Sequence, residues 1–240
     1  MVGTMTYHEA AMRPVTLTLS GTLRGMRRLS AVSVFVIPFG LAFGIAASEA
    51  GLTKLQTILM SAIVFSGVAQ FATLDFWQDS VAFLSLAFVV MALNGRHVIM
   101  GAALSPWVNH LPVWRRALVL AFLTDANFAD SEAALRGGER DLGILLGGGV
   151  VLWLAWVFGT AMGALGGQAP GPLDILGLDV VMVCFFAAVV AEQLRAPSLI
   201  LPVAIASVIA YLTAGLLPTG WNILLAAVVG GFVALATDAR

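Results

Sequence analysis

Residues 31–74 read AVSVFVIPFGLAFGIAASEAGLTKLQTILMSAIVFSGVAQFATL and contain two long apolar segments, 31–48 and 55–74, separated by a short polar turn. Segments of this length span roughly 30 Å of hydrocarbon when they are helical. Transmembrane β-strands would instead alternate apolar and polar residues over about ten positions, and no such alternation is present. The stretch therefore predicts two consecutive transmembrane helices.

The rest of the chain continues this pattern. The 240 residues are 60% hydrophobic and 10% charged, whereas a soluble domain carries about 25% charged residues. These values predict an all-α, polytopic transmembrane helix bundle of about seven or eight spans. Six further hydrophobic segments support this prediction, at 80–105, 115–134, 142–165, 173–191, 197–215 and 219–236.

Two of these segments contain strongly polar residues. Segment 80–105 is interrupted by Asn94–His97, and segment 115–134 contains Asp125 and two further acids. Either segment could be a broken or re-entrant helix, because irregular backbone is tolerated at membrane depth only where protein or water covers it.

The orientation follows from the excess of Lys and Arg in cytoplasmic loops. Eight spans with both termini inside leave Arg96 in the membrane and predict a cytoplasmic N-terminal tail over residues 1–30. The net charge of -1 gives no reason to expect a nucleic-acid partner, and we expect the tail to face anionic lipid headgroups of the bilayer. This topology places Arg13, Arg24, Arg27, Arg28, Arg136, Arg140, Arg195 and Arg240 inside, against Lys54, Arg115 and Arg116 outside.

A glycine motif occurs twice, half a chain apart. Phe39-Gly40-Leu41-Ala42-Phe43-Gly44 is matched by Phe158-Gly159-Thr160-Ala161-Met162-Gly163, which indicates either an internal duplication or a chance match between small-residue helices. Glycines at four-residue spacing favour close helix contact. Alternatively, Pro38 unwinds the first segment and frees backbone groups near Phe39, Gly40 and Gly44 to bind a ligand.

Segment 55–74 carries a polar face near its end. Ser66 and Gln70 lie four residues apart and share one face of a helix. A buried amide in hydrocarbon needs a partner, either a neighbouring helix or a solute. Gly67 would allow a solute or backbone to approach Gln70, beside Phe71.

Arg96 is the strongest individual signal in the sequence. An unpaired arginine in mid-span costs roughly 2.5 to 3.5 kcal/mol on the insertion scale. Arg96 could pair with Asp125 or Asp130, could lie at an interface and reach water, or could hold a carboxylate beside the helix interruption at Asn94. Asp125 could bind an ammonium group, exchange a proton with a coupling gradient, or pair with Arg96 to stabilise the fold.

The sequence contains no motif typical of several other kinds of chemistry. No GxxxxGK[ST] or HExxH motif occurs, and the single Cys184 provides no metal-ligand set. We therefore expect no metal, no cofactor and no enzymatic activity. The enzyme alternative requires Ser66-Gly67 to supply a nucleophile, with His97 or His110 as its base.

Three stretches resemble the AzlC (YgaZ-like) family of branched-chain amino-acid permeases. They are IPFGLAFGIAASEAGLTKLQTILMSAIVFSGVAQF, LNGRHVIMGAALSP and FLTDANF, supported by Gly177-Leu178-Asp179. The resemblance covers most of the chain. This chain has Asp125-Ala126-Asn127 where the family often has an Asp-Glu pair after the threonine.

The resemblance implies a function and a partner. It implies that residues 31–240 form a single transport domain in a bacterial cytoplasmic membrane, which exports leucine, isoleucine, valine or close analogues with a small hydrophobic AzlD-like subunit. We expect Arg96 to bind the substrate carboxylate, Gln70 or Asp125 its amine, and Phe39, Phe43, Phe65 and Phe71 its side chain. The alternative is an uncoupled channel or an accessory subunit for another small solute.

Overall fold

The computed structural model describes residues 14–74, 77, 83–166, 197–217 and 221–238. These residues are almost entirely helical, and their β-structure is limited to one isolated bridge between Thr16 and Asp141. The all-α prediction is therefore confirmed for the described part of the chain. Its helices are α1 (Leu19–Glu49), α2 (Lys54–Val64), α3 (Gly67–Leu74), α4 (Phe83–Val108), α5 (Val113–Ala121), α6 (Asp125–Arg136), α7 (Gly143–Leu165), α8 (Pro197–Thr213) and α9 (Trp221–Asp238).

Three of these helices, α1, α4 and α7, are long and apolar enough to cross a membrane. Shorter apolar helices occur at Lys54–Val64, Pro197–Thr213 and Leu225–Thr237. The predicted segment 173–191 lies outside the described residues. The structure is thus that of a helical membrane protein, and the number of seven or eight spans stays a prediction.

The interruptions do not all occur where the sequence suggested. Segment 55–74 is broken into α2 and α3 at Phe65, whose φ of 35° lies in the left-handed region. Segment 115–134 is broken into α5 and α6. A broken helix was one of the two alternatives predicted for this segment, the other being a re-entrant helix. The described part of segment 80–105, from Phe83 onward, belongs to a helix, α4, that continues through Asn94–His97.

The predicted unwinding beside Pro38 is wrong, because α1 runs without interruption from Leu19 to Glu49 and includes this proline. Proline in a membrane helix is tolerated when neighbouring groups satisfy the backbone it leaves unpaired. The helix also begins before residue 31, so Arg24, Arg27 and Arg28 belong to its first turns.

The described residues divide into two compact units. Unit 1 contains those within Met1–Gly40 and Gly95–Gly159, and unit 2 contains those within Leu41–Asn94 and Thr160–Arg240. Consequently α1, α4 and α7 each contribute residues to both units.

Asp141 joins the beginnings of α1 and α7 in unit 1. Its carboxylate accepts hydrogen bonds from the Thr18 backbone N–H at 3.0 Å, the Thr18 hydroxyl and the Gly143 N–H at 2.9 Å. It also lies 3.5 Å from Arg24, and Arg28 pairs with Asp130 of α6 at 2.8 Å. The bonds from the Thr18 and Gly143 N–H groups satisfy backbone donors at the beginnings of α1 and α7 that would otherwise be unpaired. The buried core of this unit contains Met100, Leu104, Val108, Leu111, Val119, Leu123, Leu135, Leu142 and Leu145.

Glycines bring α1 and α7 into close contact in unit 2. A Cβ added at Gly163 would overlap the carbonyl oxygen of Leu41 and lie 3.0 Å from the Cα of Gly44. The close-contact interpretation is therefore confirmed for Gly44 and Gly163, and it stays a prediction for Gly40 and Gly159. Phe43 is fully buried beside this contact and packs edge-to-face on Phe71, with ring centroids 5.4 Å apart.

The contact at Gly163 yields a stability prediction. Gly163→Ala should lower the free energy of unfolding by about 1–3 kcal/mol, because the backbone of Leu41 cannot accommodate the methyl group without a shift of α1. The measurement is thermal unfolding of the purified protein in detergent. Gly231→Ala is the matched control, since a Cβ there meets nothing within 4 Å. Equal melting temperatures for the two variants would contradict the close contact.

Candidate substrate site

The structure brings Arg96 and Asp125 together in unit 1. Arg96 Nη1 lies 2.8 Å from Asp125 Oδ2, and the two side chains are 41% and 60% exposed. Within the described part of the chain, the Nε of Arg96 is buried and has no hydrogen-bond partner. An ion pair accessible to hydrocarbon is costly. This part of α4 therefore faces water, a ligand or another protein rather than lipid tails.

Asp125 owes its position to the start of α6. It is the first residue of the helix, directly after the N-cap Thr124, whose φ of -140° and ψ of 167° are extended. A carboxylate in the first turn interacts favourably with the positive end of the helix dipole. Asp125 is thus stabilised by its own helix as well as by Arg96.

The side chain of Asn127 forms hydrogen bonds on both sides of the gap between α5 and α6. It is fully buried, and its Oδ1 accepts from the backbone N–H of Thr124 at 2.7 Å and from the Thr124 hydroxyl at 3.1 Å. Its Nδ2 donates to the carbonyls of Phe122 and Leu145, each at 2.9 Å. One side chain therefore pairs backbone groups on both sides of the break and ties them to α7.

Unit 2 contains a second group of buried polar side chains. Ser61 of α2, Gln70 of α3 and Thr160 of α7 are all fully buried. Gln70 Nε2 donates to Ser61 Oγ at 3.0 Å, and Ser61 and Thr160 share a hydrogen bond of 2.8 Å between their hydroxyls. The predicted interhelical partner of the Gln70 amide is thus present.

Ser66 lies in the gap between α2 and α3. Its hydroxyl donates to Asn94 Oδ1 of α4 at 2.9 Å, and Asn94 Nδ2 donates to the Val90 carbonyl at 2.9 Å. The enzyme alternative needs this hydroxyl to donate to an imidazole, and the observed acceptor is an amide oxygen. In addition, no group of three or more His, Cys, Asp or Glu side chains that could hold a metal occurs among the described residues.

The other predicted site residues occupy structural positions within their own units. In unit 1, Phe39 is partly buried and Gly40 is buried, both within α1. In unit 2, Gly44 forms the contact with α7, Gly67 begins α3 and Phe71 packs on Phe43. Their contact with a substrate stays a prediction.

Sequence reasoning missed Asn127, Ser61 and Thr160 as polar partners. A pattern that could have found the amides is Phe-x-x-x-Ala-amide-Phe, which occurs at Phe65–Phe71 and again at Phe122–Phe128. Both copies begin at a helix break and both end beside a fully buried amide, Gln70 or Asn127. The hydroxyl partners carry no such signal, because serine and threonine are common packing residues in membrane helices.

The ion pair yields a prediction about stability. Asp125→Ala should lower the melting temperature in a lipid environment more than Glu132→Ala does. Removing Asp125 leaves Arg96 uncompensated in a span-length helix, whereas Glu132 pairs with Arg136 on the same helix at an exposed site, where a pair contributes about 0.3–0.5 kcal/mol. Equal effects in unfolding of nanodisc-reconstituted protein would show that Arg96 does not depend on Asp125.

Known proteins resemble this chain over 55% to 64% of its length. "Inner membrane protein YgaZ" of Escherichia coli is 30% identical over 149 residues, which cover 61% of each chain. "Branched-chain amino acid transport protein AzlC" of Bacillus subtilis is 26% identical over 156 residues, or 64% of this chain and 60% of that protein. An "Uncharacterized membrane protein" of Archaeoglobus fulgidus is 33% identical over 133 residues, or 55% and 56%.

The matched region thus spans about three fifths of the length of these curated relatives. No solved structure matches the chain. The family model described as "AzlC protein" matches residues 31–169, which include α2 to α6 with both helix breaks, Arg96 and Asp125. The resemblance inferred from the sequence motifs is therefore confirmed, and the chain belongs to the AzlC family.

Proposed function

We propose that this chain is a secondary transporter that exports branched-chain or similar hydrophobic amino acids across the cytoplasmic membrane. The observation that carries the proposal is the accessible ion pair between Arg96 and Asp125, on a helix long and apolar enough to span the bilayer. Support comes from the AzlC family match and from the printed name of the Bacillus subtilis relative, a branched-chain amino acid transport protein.

The pair is complementary to the charged end of an amino acid. Asp125 pairs with Nη1 of Arg96, and the buried Nε has no partner among the described residues. A guanidinium matches a carboxylate with two parallel hydrogen bonds. The substrate carboxylate binds the exposed side of the Arg96 guanidinium, and its ammonium group binds the Asp125 carboxylate, which is 60% exposed.

This arrangement is neutral before and after binding. The ion pair carries no net charge and neither does a zwitterionic amino acid, so the substrate brings no net charge into the membrane, where charge is costly. Apolar side chains of the protein must then discriminate among the amino acids. A pocket formed by Phe39, Phe43, Phe65 and Phe71, and a contact of Gln70 with the amine, stay predictions.

The proposal includes a topology, a partner and an energy source. The N-terminus is cytoplasmic, the chain crosses the membrane several times, and a small hydrophobic AzlD-like subunit assembles with it. Export is coupled to a proton or sodium gradient. An uncoupled channel is the competing function, and it can only dissipate a gradient of its own solute.

The test is flux of radiolabelled leucine and valine in proteoliposomes, with and without an AzlD-like subunit, under imposed proton or sodium gradients. Wild-type protein should move both amino acids uphill. Arg96→Ala should lower the rate by at least about tenfold, because it removes one partner of a hydrogen-bonded charge pair. Arg115→Ala is the control, since Arg115 lies over the ring of Trp114 and is not a member of the ion pair, and it should retain wild-type flux.

Each negative outcome has a defined meaning. Downhill flux alone, in either gradient, would replace the transporter with the channel. No flux of either amino acid by folded protein with its partner would reject the branched-chain proposal. Equal loss of flux in Arg96→Ala and Arg115→Ala would reject Arg96 as the site.

The proposed binding mode also predicts which analogues compete. Unlabelled leucine should inhibit valine flux, whereas leucinamide and N-acetyl-leucine should inhibit at least about tenfold more weakly, because each lacks one of the two charges that the ion pair recognises. Inhibition constants from initial rates are the measurement. Equal inhibition by all three compounds would mean that the ion pair does not recognise the carboxylate and ammonium groups of the substrate.

A further inference from the structure

The gap between α5 and α6 creates a physical problem inside a membrane protein. The chain leaves helical geometry after Ala121 and resumes it at Asp125. The N–H groups of Phe122 and Leu123 still donate to the Leu120 carbonyl, but the Phe122 carbonyl and the Thr124 N–H need partners from outside the backbone of the two helices. In hydrocarbon each unpaired group costs several kcal/mol, because no water can replace the lost bond. A stable break must supply specific partners.

Asn127 supplies these partners from one side chain. Its amide accepts twice from Thr124 and donates to the carbonyls of Phe122 and Leu145, which gives four hydrogen bonds between 2.7 and 3.1 Å. Phe122 precedes the gap and Thr124 ends it, while Leu145 belongs to α7. The amide therefore fixes both edges of the gap relative to a neighbouring helix.

The sequence of α7 is adapted to this contact. A Cβ added at Gly149 would overlap the carbonyl oxygen of Phe122 and lie 2.7 Å from Asn127 Nδ2, and one added at Gly148 would lie 3.2 Å from Asn127 Cβ. A side chain at Gly149 would displace the backbone of Phe122, so glycine at this position lets α7 approach the gap closely enough for Leu145 to accept from the amide.

Asp125 lies between the two residues that this network holds. Thr124 precedes it and Asn127 follows it by two positions, so the network sets the direction in which the first residue of α6 projects. We infer that Asn127 is the positioning residue of the candidate site: its amide fixes the α5–α6 gap in the geometry that presents the Asp125 carboxylate to Arg96. The role in substrate binding rests on the proposed function, whereas the geometric role does not.

Positioning of Asp125 requires the amide group of Asn127, and another side chain of similar size should not replace it. Asn127→Asp retains an acceptor for Thr124 but loses both donated hydrogen bonds, and it places a carboxylate oxygen against the carbonyls of Phe122 and Leu145. Asn127→Ala removes all four bonds. Both variants should release Asp125 from its position facing Arg96.

The geometric role can be measured without any substrate. Arg96→Cys and Asp125→Cys are introduced together after Cys184→Ser removes the native cysteine. The rate of cross-linking by a bifunctional methanethiosulfonate reagent with a short spacer then reports the approach of the two positions in membranes. Adding Asn127→Ala or Asn127→Asp should slow cross-linking about threefold or more, as expected for residues coupled through one network.

Ser131→Ala is the matched control. Ser131 lies one turn after Asn127 on α6 and is also fully buried, but its hydroxyl has no hydrogen-bond partner in the described structure. Its removal should leave the cross-linking rate unchanged. If both Asn127 variants fail to fold, Thr124→Ala provides the second test: it removes the 3.1 Å bond to Oδ1 and the 3.4 Å capping bond from the Asn127 backbone N–H, but retains both bonds that the Asn127 amide donates. It should still slow cross-linking relative to Ser131→Ala. Cross-linking at the Ser131→Ala rate in every folded Asn127 or Thr124 variant would overturn the inference.

Measurements of leucine flux then distinguish a positioning role of Asn127 from a general effect on protein stability. In protein with native Arg96 and Asp125, Asn127→Asp should raise the KM for leucine about threefold or more and change the maximal rate less. In an Asp125→Asn background the same substitution should have no further effect on KM, because the residue it positions is already altered. Additive effects would assign Asn127 a purely structural role. Absence of leucine flux in wild-type protein would reject the proposed function but leave the cross-linking result standing.

Discussion

A backbone group buried in a protein must find its hydrogen-bond partner within the protein, and this constraint determines how the candidate site is built. Two predicted helices are broken, at Phe65 and between Phe122 and Thr124. A fully buried amide lies five residues after the first phenylalanine of each break, Gln70 in one case and Asn127 in the other. At the second break the amide pairs the freed backbone directly. The acid that faces Arg96 lies within this network.

The electrostatics of the site follow from the same architecture. Arg96 belongs to a continuous helix, whereas Asp125 begins a helix directly after a break, where the helix dipole favours its charge. The pair is accessible and leaves the Nε of Arg96 without a partner among the described residues. A purely structural ion pair in a membrane protein would be expected to be buried and fully paired. The accessibility of the pair is what favours a ligand at this position.

Much of this could be predicted from the sequence. Apolar segment length indicated membrane helices, and the cost of an isolated arginine indicated that Arg96 requires a partner such as Asp125. The motifs around Phe65–Phe71 and Asn94–His97 were sufficient to identify the family. Local signals were less reliable. Pro38 suggested a break where the helix continues, and Asn94-Gly95 suggested an interruption within a helix that is intact.

The sequence by itself determined the class of protein, the helical segments and the chemical types available for a site, because segment length, hydropathy and charge are properties of the chain. Only the tertiary structure decided which polar groups meet: Arg96 with Asp125, Asn127 with Leu145, and Ser61 with Gln70 and Thr160. The physical reason is that buried polar groups are satisfied by whichever neighbours lie within hydrogen-bonding distance. Those neighbours come from helices that are distant in sequence, so the spacing within any one segment does not specify them.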